Sequence, residues 1–292
     1  MRMKDPVNGH PVVWKEGSLL DAETGTAYPI VEIDGRKIPD LRYTDRVLDT
    51  SLDFRIPENL PDISYFLQLF QATRALRSLP PMVTGAQYGT KLQPEMVYYI
   101  RKFLEETPGL SVLDLGCGSG GNRLFLNSIG ITDVMSVDYW ASSAQMLVDV
   151  HRLPFEDGCF DIVLTTATIE HFYNPFVAFR EMSRVLKPGG SLLASASFWE
   201  SWHANSCFHM TPQGLHVLCR QSGLELRDIW TGWGFIPSIL SHGLTRRLKA
   251  PGYLLQRLFD RLLGLVKGQE AVYRHRLRTG GSFGIHASKR RH

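Results

Sequence analysis

VLDLGCGSGGN, residues 112–122, decides the fold, because a short apolar run is followed there by four glycines within six positions. Apolar residues at helical spacing come next, between Arg123 and Ile129, so the stretch predicts a strand, a glycine loop and a helix. Glycine can take a positive φ at such a corner and lets the backbone approach a ligand that any Cβ would obstruct. The first amides of the helix remain available as hydrogen-bond donors. The stretch therefore predicts a site for a nucleotide-like cofactor.

The spacing of the glycines fits two classes of cofactor. Gly116, Gly118 and Gly121 match the G-x-G-x-x-G pattern of a dinucleotide fold, in which the loop holds a pyrophosphate. Gly116, Gly118 and Gly120 match the pattern D-x-G-x-G-x-G, in which Asp114 faces the ligand. Asp114 would repel a pyrophosphate, whereas it would attract the ammonium and sulfonium of S-adenosylmethionine. The carboxylate therefore favours the cationic cofactor.

The order of strands and helices predicts an α/β protein. Strands are predicted near residues 111–115, 134–138, 160–165 and 190–196, with helical segments between them, which indicates a parallel sheet covered on both faces. Ligands of such sheets lie beyond the carboxyl ends of the strands. The polar residues at or just past those ends are Asp114, Asp138, Asp149, Thr165 and Thr166. The strand prediction alone thus brings these residues to one edge of the sheet.

Four motifs in sequence carry a resemblance to a known family. They are VLDLGCGSG from residue 112, DVHRLPF at 149–155, FDIVLTTATIEHF at 160–172 and REMSRVLKPGGSLL at 180–193. In this order they resemble the class I S-adenosylmethionine-dependent methyltransferases of the type 11 kind. The resemblance implies a Rossmann-like, seven-stranded, mostly parallel sheet with helices on both faces. Only ten residues separate Asp138 from Asp149, which we interpret as a shortened crossover.

The resemblance also implies roles for individual residues. Asp114 would balance the methionine ammonium, Asp138 would accept the ribose hydroxyls, and Asp149 would accept from the adenine amine, with helix capping as the alternative for Asp149. The remaining cofactor-binding residues would be Gly116, Cys117, Gly118, Gly120, Tyr139, Val150, Thr165 and Thr166. A general base assists when the methyl acceptor is a hydroxyl. His203 and His209, in the aromatic segment 199–212, are the candidate catalytic bases, with a purely structural role as the alternative.

The chain divides into three predicted parts. Residues 1–43 form a small β-hairpin segment that is similar to a zinc ribbon without its cysteines. Residues 44–107 form a helical linker or lid, with Ile63, Phe66, Leu67, Phe70 and Leu76 on one helical stripe. Residues 108–292 form the methyltransferase core, with a helical insertion around 237–276. The four cysteines lack C-x-x-C spacing, so we predict neither a metal site nor disulfides, and the compartment is predicted to be reducing.

Composition limits the location and the partners. The apolar fraction of 43% is ordinary, no run approaches the roughly 20 apolar residues of a membrane span, and the first residues lack a secretory pattern. We therefore predict a cytoplasmic protein, with the option of peripheral membrane contact. From residue 245 onward there are 12 Lys and Arg against 2 Asp and Glu. An amphipathic basic helix at 253–267 could lie on an anionic membrane, close the site as a lid, or pair two copies as a homodimer.

The prediction from the sequence is a methyltransferase that uses S-adenosylmethionine and modifies an oxygen of a small or lipid-linked acceptor. Three alternatives stay open. A nicotinamide-type oxidoreductase would need a pyrophosphate beside Asp114. An RNA methyltransferase would use the basic tail on phosphates, although no known RNA-binding module is found there, and nucleic acid ranks last among the partners. A catalytically silent protein would bind the cofactor without turning it over.

Overall fold

The computed structural model describes residues 3–15, 17–42, 59–79, 83–203 and 205–291. The first part of the predicted linker, residues 44–58, lies outside the described residues. The strands are β1 (Met3–Lys4), β2 (Pro11–Lys15), β3 (Ser18–Asp21), β4 (Ile30–Ile33), β5 (Arg36–Pro39), β6 (Ser111–Leu115), β7 (Asp133–Asp138), β8 (Met146–Leu147), β9 (Phe160–Thr165), β10 (Leu186–Ser197), β11 (Leu224–Trp233) and β12 (Ser282–Lys289). The helices are α1 (Ile63–Leu69), α2 (Gln71–Ala75), α3 (Pro94–Glu106), α4 (Gly121–Ser128), α5 (Pro175–Val185), α6 (Pro212–Gln221), α7 (Phe235–Ser238), α8 (Lys249–Lys267) and α9 (Gln269–Thr279).

A seven-stranded sheet forms the centre of the described chain. Its strand order is β11-β12-β10-β9-β6-β7-β8. Neighbouring strands from β10 to β8 are parallel, and β12 runs antiparallel to both β10 and β11. The prediction of an α/β fold with a mostly parallel seven-stranded sheet is therefore confirmed. The predicted strands at 111–115, 134–138, 160–165 and 190–196 correspond to β6, β7, β9 and the longer β10.

Alternating side chains of the central strands build a core on each face of the sheet. Val112 packs with Ile100 of α3 and Phe125 of α4, whereas the next residue, Leu113, belongs to the core that contains Phe179 of α5. This is the two-residue period of a strand that is buried on both faces. The short apolar runs of the sequence are thus central strands, and their carboxyl ends fix the position of the site.

The amino-terminal segment covers one edge of the sheet. No helix lies between β7 and β8, as the ten-residue spacing predicted. Ile38 of β5 packs against Leu147 of β8 instead. The amide of Leu41 donates to the carbonyl of Leu147 over 3.0 Å. The amino-terminal hairpin therefore lies against the edge strand β8.

The predicted helical stripe at 63–76 is broken into two helices. α1 ends at Leu69, and Phe70 leaves helical geometry before α2 begins. The cause is Asp228 of β11, which is buried and accepts hydrogen bonds from the amides of Gln71 (2.8 Å) and Ala72 (2.7 Å). Interception of these two amides ends the first helix and starts the second, a tertiary effect that periodicity does not show.

The amphipathic helix α8 has its polar side inward. Gln256 and Asp260 are buried, and Asp260 accepts a 2.7 Å hydrogen bond from the guanidinium of Arg276 in α9. The apolar residues of the opposite side are exposed to solvent, namely Leu254, Leu255, Leu258, Phe259, Leu262, Leu265 and Val266. We call these seven residues the leucine face. Among the described residues, no helix combines the length and apolarity needed to cross a membrane.

Candidate functional site

A cavity of about 440 Å³ opens beyond the carboxyl ends of β6, β7 and β9. Eight of the predicted cofactor residues line it, namely Gly116, Cys117, Gly118, Asp138, Tyr139, Asp149, Val150 and Thr166. The predicted residues Asp114, Gly120 and Thr165 are not among the lining residues, and neither are the candidate bases His203 and His209. The cavity thus lies at the strand ends, where the sequence predicted a ligand site. Some of the predicted residues line it, and the others do not.

The glycine loop turns sharply at the end of β6. Gly116 has a φ of +74°, and a Cβ there would overlap the side chain of Thr168, which also lines the cavity. The amides of Gly116 and Cys117 both donate to the carbonyl of Val137 in the neighbouring strand. Burial raises the pKa of the Cys117 thiol to about 12, so this cysteine stays protonated at neutral pH and serves as packing. The loop is therefore a rigid wall of the cavity, and its shape depends on Gly116.

Asp138 presents an oriented carboxylate at the end of β7. Its Oδ1 accepts from the amides of Trp140 (2.9 Å) and Ala141 (3.1 Å). Its Oδ2 accepts from the amide of Gly118 over 3.0 Å. Three backbone donors thus fix the group, and since each carboxylate oxygen has two acceptor positions, Oδ2 can take a further hydroxyl from a ligand.

A second carboxylate, Asp149, is oriented by a relay that the sequence analysis missed. The amide of Asn174 donates to Nε2 of buried His151, which leaves the proton on Nδ1. Nδ1 lies 2.6 Å from Oδ1 of Asp149, and the amide of His151 donates to the same oxygen. Burial alone would raise the pKa of Asp149, but the hydrogen bonds from His151 outweigh it and lower that pKa. Asp149 therefore stays ionised, and a loop rather than a helix follows it, so it does not cap a helix.

Asp114 lies below the glycine loop and is completely buried. Its carboxylate accepts from the side-chain amide of Asn122 (2.9 Å) and from the hydroxyl of Ser136 (3.2 Å). Burial raises its pKa to about 6, and the charge of nearby Asp138 adds to that increase. Asp114 was predicted to face the ligand and to balance its ammonium, and in the structure its hydrogen-bond partner Asn122 lines the cavity whereas Asp114 itself does not. The carboxylate can therefore act on a ligand through its field and through Asn122.

The end of β9 contributes strained backbone to the cavity. Thr165 is buried and its hydroxyl has no hydrogen-bond partner among the described residues. Thr166 and Ala167 line the cavity, and Ala167 has a φ of +51°, which is uncommon for a residue with a Cβ. The hydroxyl of Ser195 accepts from the amide of Ala167 and holds this conformation. Such strain in a cavity wall is typical of functional positions.

Other lining residues escaped prediction because they are distant in sequence. Lys91 lies before α3 and brings a cation to the cavity that already holds Asp138 and Asp149. Asn205 enters from the segment between β10 and α6. No local pattern distinguishes Lys91 and Asn205 from ordinary surface residues. His171 also lines the cavity, and it lies within the motif at 160–172, where a structural role was preferred for it over that of a base.

The candidate bases His203 and His209 lie behind the cavity. Nδ1 of His203 is 2.8 Å from the carbonyl of Ser201, and its Nε2 is 3.7 Å from Glu170 Oε1. His209 contacts the carbonyl of Phe198 (3.2 Å) through Nδ1 and the hydroxyl of Ser206 (3.3 Å) through Nε2. Neither ring lines the cavity. Among the described residues, the histidines that do are His151, whose two ring nitrogens are both hydrogen-bonded, and His171.

Comparison with known proteins supports the family resemblance. Residues 113–194 match the family model described as "Methyltransferase domain". The chain is 36% identical to the "Probable tRNA methyltransferase 9B" of Bos taurus, over 37% of this chain and 26% of that protein. A solved S-adenosylmethionine-dependent methyltransferase from Methanosarcina mazei is 19% identical with a TM-score of 0.43, and the match covers 66% of this chain and 98% of that one.

Curated relatives differ in how much of their length is matched. The matches to the first two relatives cover only 33% and 26% of the length of those proteins. A further relative, a protein of Encephalitozoon cuniculi (strain GB-M1) that is classed by name as a methyltransferase, is 40% identical over 162 residues. That match covers 44% of this chain and 77% of the relative. With most of a methyltransferase relative matched at this identity, the chain belongs to the S-adenosylmethionine-dependent methyltransferases.

Proposed function

We propose that the protein transfers a methyl group from S-adenosylmethionine to an oxygen of a small or lipid-linked acceptor. The observation that carries this proposal is the glycine-walled cavity with a buried carboxylate behind it. When bound, S-adenosylmethionine would supply a methyl group whose bond to sulfur breaks, with the electron pair left on sulfur, while the acceptor oxygen attacks the carbon and releases its proton to solvent. The residues of the cavity would bind and align the two reactants, and alignment accounts for much of such a rate.

The polar residues of the cavity match the polar parts of S-adenosylmethionine. Asp138 would accept the ribose hydroxyls through Oδ2, and Asp149 would accept the adenine amine through Oδ2, which no described residue occupies. Lys91 would pair with the methionine carboxylate. Asp114 and the backbone near Thr166 would favour the ammonium. A pyrophosphate, by contrast, would lie above Asp114 without a compensating cation in the glycine loop, so the structure favours the methyl donor over a nicotinamide cofactor.

The leucine face supports an acceptor that is reached at a lipid surface. Leu265 and Val266 are about four-fifths exposed. Arg257 and Arg261 border this face on one side, and the chain from residue 245 onward carries 12 basic against 2 acidic residues. A large apolar face flanked by cations fits the interface of an anionic membrane, in which the apolar side chains enter the acyl region and the cations meet headgroups. We propose that α8 docks on such a surface.

Transfer of labelled methyl groups tests the proposed reaction. We expect the protein, incubated with S-adenosylmethionine labelled in its methyl group and fractionated cell lysate, to label the lipid or small-molecule fraction, with mass spectrometry identifying an O-methyl product. Labelled RNA would instead favour the RNA methyltransferase alternative. Donor binding without labelled product in any fraction would indicate a catalytically silent protein. Calorimetric titration with S-adenosylmethionine and with NAD tests the oxidoreductase alternative. Binding of NAD in place of S-adenosylmethionine would favour that alternative.

Replacement of Asp114 by asparagine should weaken donor binding and stabilise the protein at neutral pH. The charge of Asp114 attracts the cationic donor, so its removal should raise the dissociation constant about tenfold at pH 7.5, or about 1.4 kcal/mol. The pKa of Asp114 is raised to about 6 by folding, so the stability that protonation provides is present below pH 4 and is lost as the pH rises through 6. Asparagine carries no charge at any pH, so the variant should not lose stability as the pH rises through 6. Calorimetry and urea denaturation measure the two effects.

The pH dependence provides the control for this variant. At pH 5 the wild-type Asp114 is mostly protonated, so the variant and the wild type should bind the donor with similar affinity and differ less in stability. Equal donor affinities at pH 7.5 would show that the charge of Asp114 has no role in binding, and would remove the main support for the cationic cofactor.

Polar substitution on the leucine face should weaken membrane binding. Leu262→Ser/Leu265→Ser removes two exposed leucines, each worth about 1.5–3 kcal/mol when buried, so binding to vesicles that contain phosphatidylglycerol should weaken at least tenfold. Co-sedimentation measures the binding. Because both side chains are exposed, the unfolding midpoint should not change.

A matched control lies on another helix. Leu124 of α4 is also more than half exposed, and Leu124→Ser should leave vesicle binding unchanged. Neutral phosphatidylcholine vesicles should bind the wild type more weakly than anionic vesicles. If the wild type is instead a dimer in solution that Leu262→Ser/Leu265→Ser dissociates, the leucine face pairs two copies and the membrane proposal fails.

A further inference from the structure

Glu170, His171 and His203 form a cluster that links two distant parts of the chain. One potential ligand atom of each lies within 4.8 Å of the others. Glu170 and His171 belong to the short helical turn after β9, whereas His203 belongs to the segment that follows β10. The carbonyl of Glu170 accepts from the amides of Cys207 (2.6 Å) and Phe208 (3.1 Å). The backbone therefore holds the two parts of the cluster together.

The buried carboxyl group of Glu170 has few hydrogen-bond partners among the described residues. Glu170 is 0% exposed, and its Oε2 has no hydrogen-bond partner among the described residues. The hydroxyl of Ser197 lies 2.9 Å from Glu170 Oε1 and 2.9 Å from Glu200 Oε2, yet it has one proton to donate. A buried carboxylate with an unpartnered oxygen is costly unless a cation compensates it.

His203 places a ring nitrogen near Glu170 at a distance that suits two ligands of one metal ion. Nδ1 of His203 lies 2.8 Å from the carbonyl of Ser201 and donates to it, so in the neutral ring the lone pair lies on Nε2. That Nε2 lies 3.7 Å from Glu170 Oε1, close to the roughly 3.4 Å that separates two ligands of one tetrahedral zinc ion. A carbonyl that orients the second nitrogen is the usual outer partner of a metal-bound histidine.

We propose that Glu170, His171 and His203 bind a divalent transition-metal ion at the edge of the donor cavity. Two imidazoles and one carboxylate form a ligand set that leaves a coordination position open for a substrate oxygen. His171 lines the cavity, so the open position would face the space beside the donor. The ion would bind the acceptor through a hydroxyl and make its proton more acidic. This role rests on the proposed methyl transfer, whereas metal binding does not.

Titration with cobalt(II) tests the site. After treatment with a chelator, the wild type should bind one Co²⁺ per chain and develop the visible absorption of cobalt bound to histidine. Glu170→Gln and His203→Gln should each weaken Co²⁺ binding more than about tenfold, the lower limit for loss of even an outer partner of a metal site. Since His203 is partly exposed, its variant should fold even if Glu170→Gln does not.

A second histidine between carboxylates serves as the control. His10 lies 3.0 Å from Asp21 Oδ2 and 3.3 Å from Glu23 Oε2, and His10→Gln should leave the cobalt spectrum unchanged. Absence of cobalt absorption in the wild type, or its survival in both cluster variants, would overturn the metal site. Neither Glu170 nor His203 lines the donor cavity. Calorimetry with S-adenosylmethionine therefore tests the proposed function separately from the metal site.

Discussion

Gly116→Ala is expected to abolish detectable binding of S-adenosylmethionine. The φ of +74° costs a residue with a Cβ about 1–2 kcal/mol, and the new methyl group would overlap the side chain of Thr168. Relief of the overlap must displace Thr168 or the loop, and both form the cavity wall. We expect the dissociation constant to rise at least a hundredfold, equivalent to about 2.7 kcal/mol. Isothermal calorimetry measures the change.

Gly223→Ala separates local overlap from backbone strain. Gly223 has a φ of +77°, a Cβ there would meet no atom within 4 Å, and the residue is remote from the cavity. The two variants should therefore lose a similar free energy of unfolding from strain, whereas only Gly116→Ala should lose donor binding. Retention of donor affinity by Gly116→Ala would show that the glycine loop does not form the donor site.

Asp228→Ala is expected to cause the largest loss of stability. The carboxylate accepts from the amides of Gln71, Ala72 and Ile229 and from the hydroxyl of Tyr99. Alanine would leave these buried donors without an acceptor, at a cost of about 3–5 kcal/mol. Asp228→Asn should cost less, because one carbonyl oxygen remains. Urea denaturation followed by circular dichroism measures both.

Asp157→Ala is the matched control for this effect. Asp157 is likewise a hydrogen-bond acceptor, here for the guanidinium of Arg184 over 2.8 Å, but its side chain is 70% exposed. Exposed pairs contribute about 0–1 kcal/mol, so the midpoint should change little. If Asp157→Ala and Asp228→Ala were equally destabilising, burial and donor count would not explain the contribution of Asp228.

The fold was predictable where local residue types determine the backbone. The four glycines of the loop allow a turn that other residues resist, and the apolar runs on either side have the length of strands. Parallel strands then bring Asp138 and Thr166 to the same edge without any knowledge of tertiary contacts. The cavity could be located from the sequence for these reasons.

Long-range contacts set the limit of the prediction. Glu170 and His203 meet only because the segment after β10 folds back on the turn after β9, so their spacing carries no signal. The orientation of α8 depends on Arg276, which draws Asp260 inward and turns the leucines outward. The break at Phe70 depends on Asp228, more than 150 residues away. In each case a buried polar group satisfied from another element outweighs local periodicity.

The hairpin that covers β8 has a consequence for synthesis on the ribosome. Residues 30–41 emerge early, yet the strand that they cover, Met146–Leu147, is about a hundred residues further along the chain. In the nascent chain, Ile38 and Leu41 therefore stay exposed to solvent until the residues of β8 have been translated. This segment is thus translated before the strand that it covers and reaches its final position only afterwards, which couples the order of residues 30–41 to completion of the sheet.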